Sequence, residues 1–265
     1  MMLKLKVRDV VWFVTTIVFF CFLLLPLLIL IVVSFNPVAM VFPPQGFTLH
    51  WYRVILDKPE FLSAAWASAV IGIMTAVIST TVGVLAAIGL HRYTGRLRKP
   101  MEFALLSPLF FPAVIVALAI FQLMMAMGMM TNLVVLVGAH VVVTMPYPVR
   151  NVTAQLSRFD RRLEEAAMTV GATPRQALLK VTIPLLRASI VPSLIITFVL
   201  SWNNYTVSAF LAQTDWTTLP LQLRAYVQYE YEPFLAAMST VLILISAVFL
   251  FIVERTFGMS GRGKV

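Results

Sequence analysis

The sequence is poor in charge and in cysteine. Only 12% of its 265 residues are Asp, Glu, Lys or Arg, about half the share of an ordinary soluble domain. Hydrophobic residues make up 60%, and the mean hydropathy is +0.93. Together these values exclude a soluble globular domain, a coiled coil and a disordered chain. The single cysteine, Cys21, excludes an internal disulfide and a cysteine-based zinc cluster. Its place in a long apolar run reads as a buried apolar side chain. The histidines His50, His91 and His140 are far apart in sequence and topology, with no metal-ligand spacing or acid–base pair around them. Gly258–Lys264 satisfies Gly-x4-Gly-Lys, but Val265 stands where a P-loop needs Ser or Thr, and no helix follows to aim amides at a phosphate. No nucleotide site is expected there.

What the sequence has instead is apolar runs of bilayer length. Charge-free runs of roughly 20 residues predict six spans, at about 10–33, 64–90, 103–125, 132–149, 189–212 and 234–253. The first holds 24 residues, or about 36 Å of helix. It exceeds a signal-peptide core, and no small-x-small cleavage signal follows before Asn36-Pro37. The break near Met127-Gly128-Met129-Met130-Thr131 is the shortest.

The basic residues orient these spans. With the N-terminus inside, the cytoplasmic pieces hold Lys4, Lys6 and Arg8; Arg92, Arg96, Arg98 and Lys99; Arg150, Arg158, Arg161, Arg162, Arg175, Lys180 and Arg187; and Arg255, Arg262 and Lys264. These are 17 of the 20, and only Arg53, Lys58 and Arg224 fall outside. Such a bias predicts two cytoplasmic termini. The net charge of +9 is therefore read as topology rather than nucleic-acid binding. The two external connections, 34–63 and 213–233, are short. Pro37, Pro43-Pro44 and Gly46 predict turns in the first, and Thr48–Tyr52 a short interfacial helix. Trp51, Tyr52, Trp216, Tyr226, Tyr229 and Tyr231 near the span ends suit headgroup anchoring, or contact with an external partner. In the second span small residues recur every four positions, Ala64, Ser68, Gly72, Ala76 and Thr80 beside Thr75, Ser79, Gly83 and Ala87. That spacing predicts a helix packed closely inside a bundle.

The longest inside segment, 150–188, reads as two short helices. Leu156, Phe159, Leu163, Ala167 and Val170 give one apolar face. Gly171 interrupts it, and Thr173-Pro174-Arg175-Gln176 restarts a helix with a capping box. An apolar face directed away from the bilayer suggests docking; a helix pair lying on the lipid surface would use the same pattern.

Glu165-Ala166-Ala167, three residues, Gly171, nine residues, then Val181-Thr182-Ile183-Pro184 resembles the EAA loop of binding-protein-dependent ABC importer permeases. The family form is E-A-A, three residues, G, nine residues, I-x-L-P; Val181 and Ile183 are apolar departures from it. The resemblance implies an all-α, polytopic six-helix permease of the type I ABC importer fold, one transmembrane domain over 1–265 in a bacterial inner membrane. It also implies a second homologous permease, two copies of a cytoplasmic ABC ATPase that bind ATP and Mg, and a periplasmic substrate-binding protein. No cofactor is implied for this chain, which would not itself be an enzyme. Glu165 would contact the ATPase, Ala166 and Ala167 would permit close approach, and Gly171 would provide the turn, with Val181, Ile183 and Pro184 completing the coupling element. Ser201-Trp202-Asn203-Asn204 and Thr218-Leu219-Pro220-Leu221 further resemble the second permease subunit of polyamine (spermidine/putrescine) importers.

No charge lies inside the proposed spans, which argues against a proton relay. The most polar intramembrane cluster is Ser201, Asn203, Asn204, Tyr205 and Thr206, beside Trp202. It serves either the translocation path or hydrogen bonds between helices. Related polyamine-type subunits often carry acidic residues near this point, and Asn203 and Asn204 cannot neutralise a cation as carboxylates do. Pro192 removes a helical hydrogen bond from the same span and predicts a bend. A non-ABC carrier or channel, and a membrane scaffold that recruits a cytoplasmic partner, remain the alternative classes.

Overall fold

A computed structural model describes residues 7–38, 41–92, 95–129, 131–229 and 232–257. Lys4, Lys6, Met130, Tyr231, Arg262, Lys264 and the Gly258–Lys264 stretch lie outside them. In chain order the helices begin α1 (Val7–Val33), α2 (His50–Asp57), α3 (Pro59–Arg92), α4 (Arg98–Leu106), α5 (Ala113–Ala126), α6 (Leu133–Thr144) and α7 (Pro146–Leu156). They continue α8 (Arg162–Thr169), α9 (Pro174–Ala177), α10 (Ile183–Trp202), α11 (Tyr205–Leu211), α12 (Leu219–Tyr229) and α13 (Pro233–Phe257). No strand occurs among the described residues. The chain forms two compact units, Ser63–Gln222 and Met1–Leu62 with Leu223–Val265.

Within Ser63–Gln222 the small-residue rows of α3 are buried along their whole length. Lipid offers no hydrophobic drive for helices to associate, so close backbone approach and the dispersion it allows must supply the adhesion. The contacts are close enough to exclude a side chain. A Cβ at Gly72 would meet the Phe198 ring at 2.9 Å, and one at Gly83 would meet Pro148 at 2.8 Å. Ile73, Met74, Val77, Ile78, Val82 and Leu85 face outward from the same helix.

Prolines and asparagines reshape the other runs in this unit. The run 103–125, predicted as one span, is not a single helix: the chain turns by 106° between Gly95–Phe110 and Ala113–Ala126. Pro112 forces the residue before it out of the helical region, and Phe111 is extended at φ −109°, ψ 146°. The 132–149 run begins as predicted, with the Asn132 side chain accepting from the Val135 N–H at 2.9 Å. It then bends by 40° into α7 at Pro146 and Pro148. The run predicted over 189–212 starts earlier and ends earlier. Pro174–Trp202 is helical throughout, and Pro192 sits inside α10 without ending it. The break comes instead at Asn203-Asn204, because the Asn204 carboxamide accepts from the Val207 N–H at 3.0 Å and starts α11. α11 packs on α5 and α6, in a core of Ile71, Ala117, Leu136, Ala139, Val207 and Leu211.

In the other unit α1 and α2 both pack on α13. Cys21 is exposed on α1, which corrects its reading as buried. Only 6% of the most apolar window of that helix is covered by the chain, so its apolar side chains, Cys21 among them, are left to lipid or a partner. Polar groups fasten the described part of the 34–63 connection. Ser34 Oγ and Tyr52 OH share a 2.6 Å hydrogen bond, and the Trp51 indole donates to the Asn36 carbonyl at 2.8 Å. Lys58 donates to Tyr226 at 2.8 Å, and Tyr226 to Glu232 at 2.8 Å. Trp51, Tyr52 and Tyr226 thus fasten the connection. Among the described residues three helices, α1, α3 and Pro174–Trp202, are long and apolar enough to cross a membrane unbroken; two bent pairs qualify together, and α13 adds a shorter apolar stretch.

Candidate functional site

The 150–188 loop is a fixed corner. α8 opens with Asp160 accepting from the Arg162 N–H at 3.0 Å, and its first turn carries Glu164 and Glu165, which the helix dipole favours. It closes in a Schellman motif: the Ala172 N–H bonds the Ala167 carbonyl at 3.1 Å and the Gly171 N–H bonds Met168 at 3.0 Å. This geometry needs a left-handed residue at Gly171, whose φ is +93°. Two residues later the capping box is complete: Gln176 N–H bonds Thr173 Oγ1 at 3.3 Å, and Thr173 N–H bonds Gln176 Oε1 at 2.9 Å. Every residue from Val170 to Thr173 is therefore fixed by one motif or the other.

The apolar face predicted from Leu156 to Val170 does not lie on one helix. Leu156 ends α7 and is buried against Val84, Ile88, Val152 and Leu186. The chain restarts at Asp160, which changes the helical phase. Leu163, Met168 and Val170 are exposed, Val170 by 86%. Glu165 and Ala166 are exposed beside them and Ala167 is half-buried. Pro184 is exposed, while Val181 and Ile183 are half-buried, Ile183 against the Leu156–Leu186 core.

One residue from Glu165, Glu164 turns inward. It is 8% exposed, pairs with Arg92 at the end of α3 and accepts from the Thr182 hydroxyl. Thr182 lies in a π-helical turn, Leu178–Thr182, where the Ile183 N–H reaches back to the Leu178 carbonyl. Pro184, which has no N–H, accounts for the altered register. Removing one partner from a buried ion pair typically costs about 3–5 kcal/mol. The sequence alone does not single out Glu164, because two consecutive glutamates cannot be phased without the break at Asp160.

The polar cluster of the fifth run divides at the α10–α11 break. Asn203, Asn204, Tyr205 and Thr206 line a cleft of about 380 Å³ with Ala113, Val143, Thr144, Tyr147, Val199 and Leu200. Asn203 donates to the Val199 carbonyl at 2.9 Å. Ser201 and Trp202 are not part of that lining. Ser201 is buried, and Trp202 lies 5.8 Å from the Phe198 ring. Ser201 bonds His140 Nδ1 at 2.8 Å, and Ser208 lies 3.4 Å from His140 Nε2. His140, fully buried on α6, thus holds α10 and α11 together across their break. Thr144, one turn on, donates to the His140 carbonyl at 2.8 Å and lies 3.2 Å from Ser79 Oγ. Sequence reasoning passed over His140 because it has no His, Cys or carboxylate nearby in the chain. Its signal was an ionisable side chain inside an apolar run.

Residues 79–258 match the family described as binding-protein-dependent transport system inner membrane component. The chain is 30% identical over 229 residues to the spermidine/putrescine transport system permease protein PotC of Escherichia coli K12, covering 86% of this chain and 87% of that protein. It is 30% identical over 236 residues to the putrescine transport system permease protein PotI of the same strain, covering 84% and 82%. In fold it is similar to a chain of the bacterial alginate ABC transporter in complex with an alginate pentasaccharide-bound periplasmic protein, with a TM-score of 0.74 at 17% identity over 96% of this chain and 97% of that one. The chain therefore belongs to the binding-protein-dependent transport system inner membrane components, as a multi-pass ABC importer permease and not an enzyme.

Proposed function

We propose that this permease passes a small solute of the polyamine or related organic-cation class from a periplasmic binding protein to the cytoplasm. The observation that carries the solute class is 30% identity, over most of both chains, to permeases named for spermidine and putrescine. A second, homologous permease lines the path from the other side, and two copies of an ATPase bind ATP and Mg below. The whole chain acts as one permease domain of six spans with both termini cytoplasmic, a reading supported by the partition of its basic residues.

Asn203, Asn204 and Tyr205 contact the solute, with Thr144, Tyr147 and Thr206 around them. Carboxamide oxygens and tyrosine faces attract a cation without binding it as a carboxylate would, and a path needs contacts weak enough to release its cargo. Ser201 and Trp202 support this cleft from behind. Glu165, Ala166, Ala167 and Gly171 form the ATPase-coupling corner, with Val181, Ile183 and Pro184 joining it to α10. The exposed Leu163, Met168 and Val170 support docking there.

Proteoliposomes holding the complete complex are expected to accumulate labelled putrescine or spermidine only with ATP inside and loaded binding protein outside. Accumulation of neither, in a complex whose ATP hydrolysis another solute stimulates, rejects the solute class. Cysteines placed at Pro44 and Gln222 in a Cys21→Ser background are expected to react with an impermeant maleimide from the periplasm, and those at Gly95 and Gly171 only from the cytoplasm. Reaction of all four from one side rejects the six-span arrangement.

A further inference from the structure

We infer that Arg92, Glu164 and Thr182 are positioning residues that join the coupling corner to two transmembrane helices at once. The inference rests on the reading of α8 as the ATPase-coupling element. It concerns how motion of that element leaves it.

The three side chains close a ring. Glu164 Oε1 accepts from both the Arg92 guanidinium and the Thr182 hydroxyl. Arg92 Nη2 also lies 3.4 Å from Thr182 Oγ1. Thr182 therefore donates to the carboxylate and accepts from the guanidinium, so its hydroxyl is satisfied in both roles. The residues come from three separated stretches of chain, 72, 18 and 90 positions apart. Thr182 is fully buried, and the Arg92 and Glu164 side chains are only 14% and 10% exposed.

An apolar trio of similar volume would hold these helices at least as firmly, because desolvating a charged pair offsets much of its attraction. What the ring adds is direction. Charge-assisted hydrogen bonds have fixed lengths and angles, whereas apolar contacts slide. Arg92 is the last residue of α3, and Thr182 immediately precedes α10. The 20 residues of α10, about 30 Å of helix, end at the Asn203-Asn204 break over the cleft. Displacement of α8 is thus delivered to the base of both helices, and through α10 to the cleft. Glu165 and Ala166, on the exposed side of α8, remain for the partner.

The test uses the reconstituted complex of both permeases, the ATPase and the loaded binding protein. Four permeases are compared with wild type: Arg92→Leu/Glu164→Leu, Glu164→Gln, Thr182→Val and Thr182→Ser. The double variant removes the ring without stranding a charge. It is expected to pull down the ATPase normally, while maximal solute-stimulated hydrolysis per assembled complex falls about fivefold or more, the lower edge of ordinary coupling energies. The half-saturating concentration of binding protein should stay put. A side chain that served only folding would lower the amount of complex and leave the maximum per complex unchanged. Glu164→Gln and Thr182→Val are expected to lose part of the stimulation, and Thr182→Ser to regain what valine loses. If the double variant fails to assemble, Glu164→Gln and the Thr182 pair decide by the same ratio. Wild-type maximal stimulation in the assembled variants overturns the inference. A Glu165→Ala permease run in parallel separates the two readings: wild-type behaviour there removes α8 as the coupling element, whereas a loss there with intact ring variants removes only the ring.

Discussion

Gly171→Val is expected to abolish solute-stimulated ATP hydrolysis, and Gly171→Ala to reduce it. A Cβ at this position meets nothing within 4 Å, so the penalty is not a clash with neighbours. It comes from φ +93°, which a residue with a side chain adopts at a cost of about 1–3 kcal/mol. β-branching makes valine worse than alanine. The chain relieves that strain by giving up the Schellman bonds to Ala167 and Met168, and the corner between α8 and α9 loosens. A loosened corner still touches its partner but no longer moves as one body, and transmission requires an element with discrete positions. Glu165→Ala is expected to act differently, by weakening association, because its carboxylate is exposed on α8. The measurement is ATPase pull-down beside stimulated hydrolysis for each variant. Wild-type values for Gly171→Val and Glu165→Ala in both assays would show that this loop does not couple.

The parts of this protein that were legible in the sequence are those set by local chemistry. The capping box at Thr173 and Gln176 needs only four residues in order, and the turn at Gly171 needs one glycine after a helical run. The buried rows of α3 follow from a four-residue period, which holds wherever the helix is unbroken. The rest depended on where helices stop. Pro112 divides a run whose hydropathy is continuous, so composition alone cannot show the 106° turn. The break at Asn203-Asn204 arises because a side chain competes with the backbone for the Val207 N–H, a contest that apolar flanks conceal. Once Asp160 resets the phase, Leu156 belongs to the core and Glu164 to the interior. Cys21 failed for another reason: in a membrane helix an apolar neighbourhood does not imply protein neighbours.

Replacing the cleft amides is the second change with a large expected effect, and the break in the helix dictates how it must be done. Asn204→Leu removes an N-cap, which costs about 0.5–2 kcal/mol, so a loss of uptake in that variant would mix folding with transport. Asn204→Ser keeps a capping oxygen while withdrawing the carboxamide from the cleft. Asn203→Leu gives up only one bond, to a carbonyl of its own helix. Each of these two variants is expected to assemble at near-normal abundance and to lower uptake about tenfold, the equivalent of about 1.4 kcal/mol in the rate-limiting passage. His140→Leu provides the contrast. It strands the Ser201 hydroxyl in a buried site at about 1–3 kcal/mol, while Ser208 keeps its bond to the Asn204 carbonyl, and it removes the link between α10 and α11 behind the cleft. Abundance of the folded complex is therefore expected to fall first, with uptake following it in proportion. Plotting uptake against complex recovered distinguishes the two behaviours: His140→Leu should lie on the wild-type line, Asn203→Leu and Asn204→Ser well below it. Should both asparagine variants fall on that line as well, the amides pack the helix break and the solute passes elsewhere.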